Sequence, residues 1–264
     1  MRIGDLELLP LSDGTAKLPP AFYVGLDLEI EAHAALFDPD GTVHIPIGCY
    51  LVRHGDRTIL LDAGLGPVSI SWAEGGRLPA ALADVGVRPD HIDTVVCTHL
   101  HLDHVGWVVQ EGRPFFPNAT VVFGEADWGG FVDADSANDV TRAAMHVLRD
   151  ADRLRPISGD MVEIAPGITA RHTPGHTLGS YSLVLSSGDD RAFLLGDAVE
   201  CPLQLEEPDL SVISDVDPAL AARTRELLWR ELEGTDTVLG AAHFPGLEMG
   251  RVLTGAAGRR WFGT

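Results

Sequence analysis

The chain has 264 residues, of which 45% are hydrophobic, so it can build one substantial core without a second domain. Its 39 acidic and 19 basic residues give a net charge of −20, which would repel the phosphate backbone of a nucleic acid. The sequence has no Lys/Arg cluster, which excludes a basic membrane anchor. We therefore predict a single domain, 1–264, whose partner is a small molecule.

The N-terminus lacks the positive segment and apolar run of a signal peptide, and no stretch reaches the ~18 apolar residues of a membrane span. These features predict a cytoplasmic protein. Cys49, Cys97 and Cys201 are widely spaced and odd in number, which favours reduced thiols over a disulfide framework or a cysteine zinc site.

The first irregular segment covers residues 19–48. Prolines interrupt it at four positions, and its pattern fits neither a helix nor a strand. Long insertions of this kind are often functional or form subunit contacts. We predict that 19–48 is a lid or an arm that contributes to a homodimer.

Beyond this segment, short apolar runs alternate with helical stretches. The runs are typical of buried strands, and each one stops at a His or Asp before a turn. They are "RTILLDAG" at Asp62, "DTVVCTHLHLDH" at His99, "ITARHTPGH" at His176, "RAFLLGDA" at Asp197 and "DTVLGAAHFPG" at His243. Helical spacing predicts helices over 77–87, 136–154 and 214–232, the last with Asp217 as N-cap and Leu220, Thr224, Leu227 and Leu228 buried. The alternation predicts an α/β fold with sheets covered by helices.

The stretch "THLHLDHVG" places His99, His101, Asp103 and His104 within six residues. Imidazole and carboxylate groups are the ligands that suit zinc and related divalent metals. A single His or Asp at a strand end is more often a loop cap than a ligand. However, a surface loop gains nothing from three histidines in six residues, and three further strand ends supply His176, Asp197 and His243. We therefore predict a metal centre, with room for two ions.

Four motifs carry a family resemblance. "THLHLDHVG", "HTPGHTLGSYSL", "LLGDA" and "GAAHFPG", in this order, resemble the metallo-β-lactamase superfamily from about residue 45 to 250. The resemblance implies a four-layer αβ/βα sandwich with the metals at one edge between the sheets. It assigns His99, His101 and His176 to one ion, Asp103, His104 and His243 to the other, and Asp197 to both. Asp62 matches a family aspartate that orients ligands.

The chemistry implied is hydrolysis by a hydroxide held between two divalent ions, which also polarise the bond to be broken. Zinc is the expected metal, and iron, manganese and cobalt are compatible with the same ligands. Asp103 or Asp197 would handle the proton after attack. Asp197→Ala should then lose metal and turnover together.

The aspartate bridge distinguishes this chain from the true β-lactamases, and the lack of a Glu in the first cluster distinguishes it from oxygen-reducing di-iron relatives. The RNA-processing branch shares the first motif, but the charge argues against it. The lactonase branch shares the "IPIGCYLVRHGDRTILLDAG" opening, although Glu200 stands where that branch commonly has a tyrosine.

Three further branches remain as alternatives. The organophosphate hydrolases resemble this chain in "GAAHFPG" and in an aromatic entrance. The other two are a thioesterase resembling glyoxalase II and a mononuclear-iron persulfide dioxygenase. A non-catalytic metal protein is the alternative outside enzymes.

We predict a hydrolase that opens a lactone or carboxylic ester of a small, moderately apolar molecule. Its expected pocket residues are Phe22, Tyr23, Trp72, Trp107 and Glu200.

Overall fold

The predicted strands lie in two large sheets in this computed structural model, which describes residues 1–27, 37–207, 209–255 and 258–263. Within those residues the first sheet follows the order β12 (Leu154–Ile157), β11 (Thr120–Gly124), β8 (Thr94–Val96), β5 (Arg57–Leu61), β4 (Val43–His54), β2 (Leu6–Leu18), β7 (Ala73–Glu74) and β6 (Ser69–Ile70), and β1 (Arg2–Ile3) pairs with β2. The second sheet follows the order β13 (Met161–Ala165), β14 (Ile168–His172), β15 (Tyr181–Ser187), β16 (Asp190–Leu194), β18 (Val238–Gly240), β19 (Gly250–Gly255) and β20 (Gly258–Gly263).

Short elements complete the described chain. Two small strand pairs are β3 (Tyr23–Val24) with β17 (Ser211–Val212) and β9 (Val109–Gln110) with β10 (Arg113–Pro114). The α-helices are α1 (Leu78–Asp84), α2 (Leu102–Val105), α3 (Asp139–Asp150), α4 (Leu203–Glu206) and α5 (Pro218–Leu232).

An apolar layer separates the two sheets because side chains alternate in direction along each strand. In β4, Tyr50 and Val52 belong to this layer, whereas Leu51 between them packs on the opposite side of the first sheet. Leu183 and Leu185 contribute from the second sheet. Since both faces of these strands are buried, the sequence shows continuous apolar runs there.

Helices cover the outer face of each sheet. On the first sheet, Leu82 of α1 and Met145 of α3 join the same buried cluster as Leu51. On the second sheet, Leu228 and Trp229 of α5 pack against the strands. The order helix, sheet, sheet, helix confirms the predicted four-layer αβ/βα sandwich.

Helix α5 begins at the predicted N-cap, where the Asp217 side chain accepts a hydrogen bond from the Leu220 backbone N–H at 2.9 Å. The predicted buried stripe is wrong at Leu227, which is 60% exposed. Arg225 occupies the buried face instead, because it pairs there with Asp215. Helical spacing alone gives no sign that a charged side chain turns inward.

The segment 19–48 is more regular than the sequence predicts in the part that is described. Pro20–Phe22 forms a 3-10 turn, and Val43 begins β4, so the last residues of the segment belong to the first sheet. Residues 28–36 lie outside the described residues. The lid and the homodimer arm remain predictions.

The three cysteines are free thiols, as predicted, and the structure shows that all three are buried. Burial raises the pKa of the Cys97 thiol, which keeps this side chain protonated within the core. Within the described ranges, no helix is long and apolar enough to cross a membrane.

A close backbone contact joins β11 to the loop that follows His176. A Cβ built on Gly124 would lie 1.9 Å from the Gly179 carbonyl oxygen, so an alanine has no space there. We expect Gly124→Ala to lower the free energy of unfolding by roughly 1–3 kcal/mol, because the two backbones must separate. Gly129→Ala is the matched control, since nothing lies within 4 Å of its added Cβ. Urea unfolding of both variants tests this, and equal stabilities would contradict it.

Candidate metal centre

The seven side chains predicted as metal ligands converge on one small volume. They follow the ends of four strands: His99, His101, Asp103 and His104 after β8, His176 after β14, Asp197 after β16 and His243 after β18. β8 belongs to the first sheet and the other three strands belong to the second. The cluster therefore depends on the packing of the two sheets, since neither sheet supplies all seven.

Three imidazoles form the first group of the cluster. His101 Nδ1 lies 2.8 Å from His99 Nε2 and 3.0 Å from His176 Nε2. Burial and the neighbouring His176 lower the pKa of His101 to about 3, so its ring is neutral at pH 7. Converging imidazole nitrogens are the donor set that zinc and similar cations accept.

Asp103, His104 and His243 form the second group. Asp103 Oδ2 lies 3.7 Å from His104 Nε2 and 3.5 Å from His243 Nε2. The ligand atoms of this group all lie within 4.8 Å of one another. The short helix α2 sets the spacing, because it carries Asp103 and His104 in the turn directly after His101.

Asp197 lies between the two groups. Its Oδ2 is close to the Nε2 atoms of two histidines from each group: His99 at 3.7 Å, His176 at 3.6 Å, His104 at 3.2 Å and His243 at 3.3 Å. Burial opposes ionisation, but the charges of His104 and His243 outweigh it and hold the pKa of Asp197 well below its usual range. An ionised carboxylate that reaches both groups can bridge two cations.

Two buried polar atoms of the cluster have no hydrogen-bond partner among the described residues. They are His104 Nε2 and Asp197 Oδ1. An unsatisfied buried polar group costs about 1–3 kcal/mol. A divalent cation would satisfy both atoms, and the cysteine-free set of imidazoles and carboxylates suits zinc, iron, manganese or cobalt. The residues present therefore fit a metal centre.

Four of the histidines are held from behind by hydrogen bonds at Nδ1. The partners are Thr98 Oγ1 for His99 at 3.1 Å, Asp62 Oδ2 for His104 at 2.9 Å, Asp215 Oδ1 for His176 at 3.1 Å and the Pro46 carbonyl for His243 at 2.8 Å. Carboxylate and carbonyl oxygens only accept, so His104, His176 and His243 donate from Nδ1. The Thr98 hydroxyl donates to Asp62, so its oxygen accepts from His99 Nδ1. The Nε2 atoms are thereby directed at the cluster, as metal ligation requires.

Asp62 contacts His104 of the second group directly and reaches His99 of the first group through Thr98. The Thr98 backbone N–H donates to Asp62 Oδ1 at 2.7 Å, and the Thr98 hydroxyl donates to the same carboxylate at 3.0 Å. Asp62 has a positive φ of 59°, which carries the chain sharply away from the end of β5. The structure thus places Asp62 directly behind the side chains predicted as ligands.

A cavity of about 590 Å³ opens onto the cluster. His101, Asp103, Asp197 and His243 form its polar floor, and its walls are mostly apolar. Three of the residues predicted for the pocket, Phe22, Trp72 and Glu200, line it. The described residues of its wall include no lysine or arginine, so the cavity favours a neutral ligand.

Trp107 does not line this cavity, and its prediction as a pocket residue is wrong. Its indole packs beside Phe115, and its Nε1–H donates to Asp13 at 2.8 Å. A buried indole needs an acceptor, and the buried Asp13 carboxylate supplies one. Tyr23 is also missing from the described lining, since it is buried in a neighbouring apolar cluster.

Glu200 lies at the boundary between the cavity and the cluster. It is buried, and its Oε1 is 3.8 Å from His176 Nδ1. Burial and the charge of Asp197 raise the pKa of Glu200 to about 7. A carboxyl group in this environment titrates near neutral pH, unlike the tyrosine of the lactonase branch.

Two carboxylates that support the cluster could not be identified from the sequence. Asp215 is the hydrogen-bond partner of His176. Asp127 accepts hydrogen bonds from Leu100 N at 3.3 Å, Thr177 Oγ1 at 3.0 Å and Gly179 N at 2.7 Å, and so ties the two histidine-bearing loops together. Neither residue belongs to a recognisable motif, since its role depends on contacts across the fold.

The sequence of this chain is similar to that of known proteins over much of its length. The profile of the family described as the metallo-beta-lactamase superfamily matches residues 46–234. An N-acyl homoserine lactonase of Bacillus sp is 26% identical over 174 residues, which cover 60% of this chain and 65% of the relative. The N-acyl homoserine lactonase AiiB of Agrobacterium fabrum is 27% identical over 179 residues, which cover 58% and 62%. The chain therefore spans slightly less than two thirds of these relatives.

Solved structures share the fold over the whole chain. AidC, a dizinc quorum-quenching lactonase, superposes with a TM-score of 0.88 at 22% identity, covering 100% of this chain and 96% of that chain. The hydrolase AbOPH gives a TM-score of 0.87 at 24% identity with the same coverage. Because the family profile covers most of the chain and the sandwich fold agrees with it, this protein belongs to the metallo-beta-lactamase superfamily.

Proposed function

We propose that this protein is a binuclear metal-dependent hydrolase that opens a lactone or carboxylic ester of a small, moderately apolar molecule. His99, His101 and His176 would hold one ion, Asp103, His104 and His243 the other, and Asp197 both. Zinc is the proposed metal. The names of the relatives, N-acyl homoserine lactonases, support the lactone as substrate.

One observation carries the proposal: Asp197 Oδ2 lies 3.2–3.7 Å from histidines of both groups. A structural zinc site is closed and four-coordinate, and it commonly uses cysteine. This cluster has two ligand groups, no thiol, and a cavity open to it. These features favour catalysis over a purely structural metal.

The chain contributes orientation and proton handling. Two divalent ions at this position would lower the pKa of a water molecule and polarise the substrate carbonyl. Asp103 and Asp197 reach the cavity floor, where either carboxylate can take a proton after attack. The apolar walls hold the acyl part of the substrate and reduce the water around the reacting bond.

A phosphotriester is the second candidate substrate. The described cavity wall has carboxylates and neither lysine nor arginine, so it disfavours the anionic phosphodiesters and accepts a neutral triester. Phe22 and Trp72 at the wall offer surfaces for apolar ester groups. The same chemistry of the two ions serves a phosphoryl bond.

The test combines metal content with initial rates. Protein purified without chelators is analysed for metal and assayed on an N-acyl homoserine lactone, a lactone without the amide, an aryl ester and a phosphotriester. Two zinc ions per chain with lactone or ester turnover are expected. One iron per chain, with oxygen consumed on a persulfide, would contradict the hydrolase. Two bound ions without turnover on any substrate would favour the non-catalytic alternative.

Metal affinity should rise with pH. In the metal-free protein, burial lowers the pKa of His243, but the charge of Asp197 and the hydrogen bond to it outweigh burial and raise this pKa to about 10. The ring therefore carries a proton at neutral pH that an ion must displace. The apparent zinc affinity should increase about tenfold per pH unit for each proton displaced.

Calorimetric zinc titrations in buffers with different protonation enthalpies count the released protons. We expect at least one proton per bound pair of ions between about pH 6 and 8. An affinity that is independent of pH would contradict the assignment of His243 as a ligand.

A further inference from the structure

A buried carboxylate and a buried guanidinium lie behind the first ligand group. Asp215 follows β17, and its side chain is completely buried. Its Oδ1 accepts a hydrogen bond from His176 Nδ1 at 3.1 Å, and its Oδ2 lies 3.6 Å from Arg225 Nη1. The Val212 backbone N–H also donates to Oδ2, at 3.4 Å. Arg225, Asp215 and His176 thus form a continuous chain of contacts that ends at the cluster.

The position of Arg225 is costly unless it has this partner. Its side chain is buried on the inner face of α5, among Leu228 and Trp229. Buried charges persist in proteins when they are paired, since an unpaired one is strongly destabilising. The Arg225 guanidinium holds the Asp215 carboxylate in place through Oδ2, which leaves Oδ1 as an acceptor for the imidazole.

The backbone around Asp215 is joined to the histidine loop. The Val216 N–H donates to the His176 carbonyl at 2.9 Å, and the Asp217 N–H donates to the Gly175 carbonyl at 2.9 Å. Ser214 and Val216, on either side of Asp215, line the cavity. A single short segment therefore supports one ligand of the cluster and forms part of the cavity wall.

Other hydrogen-bond acceptors contact different histidines of the cluster. Asp62 holds His104, a member of the second group, and the Pro46 carbonyl holds His243. Asp215 contacts His176, a member of the first group. The two carboxylates therefore make direct contact with histidines of different groups. Asp62 reaches His99 of the first group only through the Thr98 hydroxyl.

We infer that Asp215, fixed by Arg225, is a positioning residue that sets the affinity of the His99/His101/His176 site independently of the second site. Its hydrogen bond holds the His176 proton on Nδ1 and directs Nε2 at the ion. The inference rests on the two-ion centre of the proposed function. Partners of this kind change metal affinity by about 10- to 100-fold.

The experiment measures stepwise zinc binding by competition with a chromophoric chelator. Asp215→Ala should weaken one of the two zinc ions by about 10- to 100-fold and leave the other within about 3-fold of the wild type. Asp215→Asn keeps an acceptor oxygen but loses the charge, so it should give a smaller loss at the same ion. If Asp215→Ala does not fold, as judged by circular dichroism, Asp215→Asn decides the result.

Two comparisons make the assignment specific. Asp217→Asn is the matched control in the same segment, because asparagine is an equally good N-cap, and it should leave both affinities unchanged. Asp62→Asn should weaken one ion, and the Asp62→Asn/Asp215→Asn double variant should weaken both. A double variant that keeps one ion at wild-type affinity would show that the two carboxylates act on the same site and overturn the inference.

The outcomes separate the inference from the proposed activity. Wild-type turnover of a lactone, together with unchanged affinity for both ions in the Asp215 variants, overturns the inference alone. Selective loss of one ion in those variants, without turnover of any tested substrate by the wild type, supports the inference and overturns the activity. Cobalt-loaded protein gives an independent readout, since moving His176 should change the visible absorption of one ion only.

Discussion

Asp197→Ala should lose both bound ions, and its kcat/KM should fall by about 10³-fold or more. The Asp197 carboxylate lies within 3.7 Å of two histidines from each ligand group. Without it, the buried histidines around the site lose their shared anionic partner. A metal ion supplies several kcal/mol of transition-state stabilisation, and each 1.36 kcal/mol corresponds to a tenfold change in rate.

The measurement pairs metal analysis after gel filtration with initial rates on the best substrate of the wild type. Asp236→Ala is the matched control, because the Asp236 side chain is 99% exposed, and it should keep metal and rate. An Asp197→Ala protein that is active and carries two ions would refute the bridging role. Folding is checked by near-ultraviolet circular dichroism, since the variant removes a buried charge.

The sequence alone was sufficient to predict which side chains lie close together when they belong to one motif. His99, His101, Asp103 and His104 come from one turn after β8, so their proximity follows from the local chain. The continuous apolar runs likewise predicted buried strands, because both faces of each sheet are covered. The four-layer fold followed from the resemblance and is confirmed by the sheets and helices observed.

Side chains that act through tertiary contacts were not predictable. Asp215 meets His176 across 39 positions of the chain, and Asp127 meets Thr177 across 50. Both residues look like ordinary loop aspartates in the sequence. Trp107 was misplaced for the same reason, because its indole hydrogen-bonds to Asp13, which is 94 positions away.

Asp13 shows how strongly the core supports the loops around the cluster. It sits at a bulge in β2 and is completely buried. One carboxylate oxygen accepts from the backbone of Leu65 at 2.8 Å and of Gly66 at 3.0 Å. The other accepts from Gly76 N at 3.2 Å, Leu78 N at 2.8 Å and Trp107 Nε1 at 2.8 Å. A single side chain thus joins the loop after Asp62, the start of α1 and the turn after α2.

Asp13→Ala should therefore lower the free energy of unfolding by about 3–5 kcal/mol. It leaves four buried donors and one partly buried donor without their acceptor. Each unsatisfied buried donor costs about 1–3 kcal/mol before water or relaxation compensates. Asp93→Ala is a control that should lose less stability. Asp93 is partly exposed and accepts one backbone hydrogen bond, from Thr58 at 2.6 Å. We expect this variant to lower the free energy of unfolding by about 1 kcal/mol. Urea unfolding of metal-free protein measures both. A loss below that of Asp93→Ala would mean that water replaces the Asp13 carboxylate and that these loops hold their positions without it.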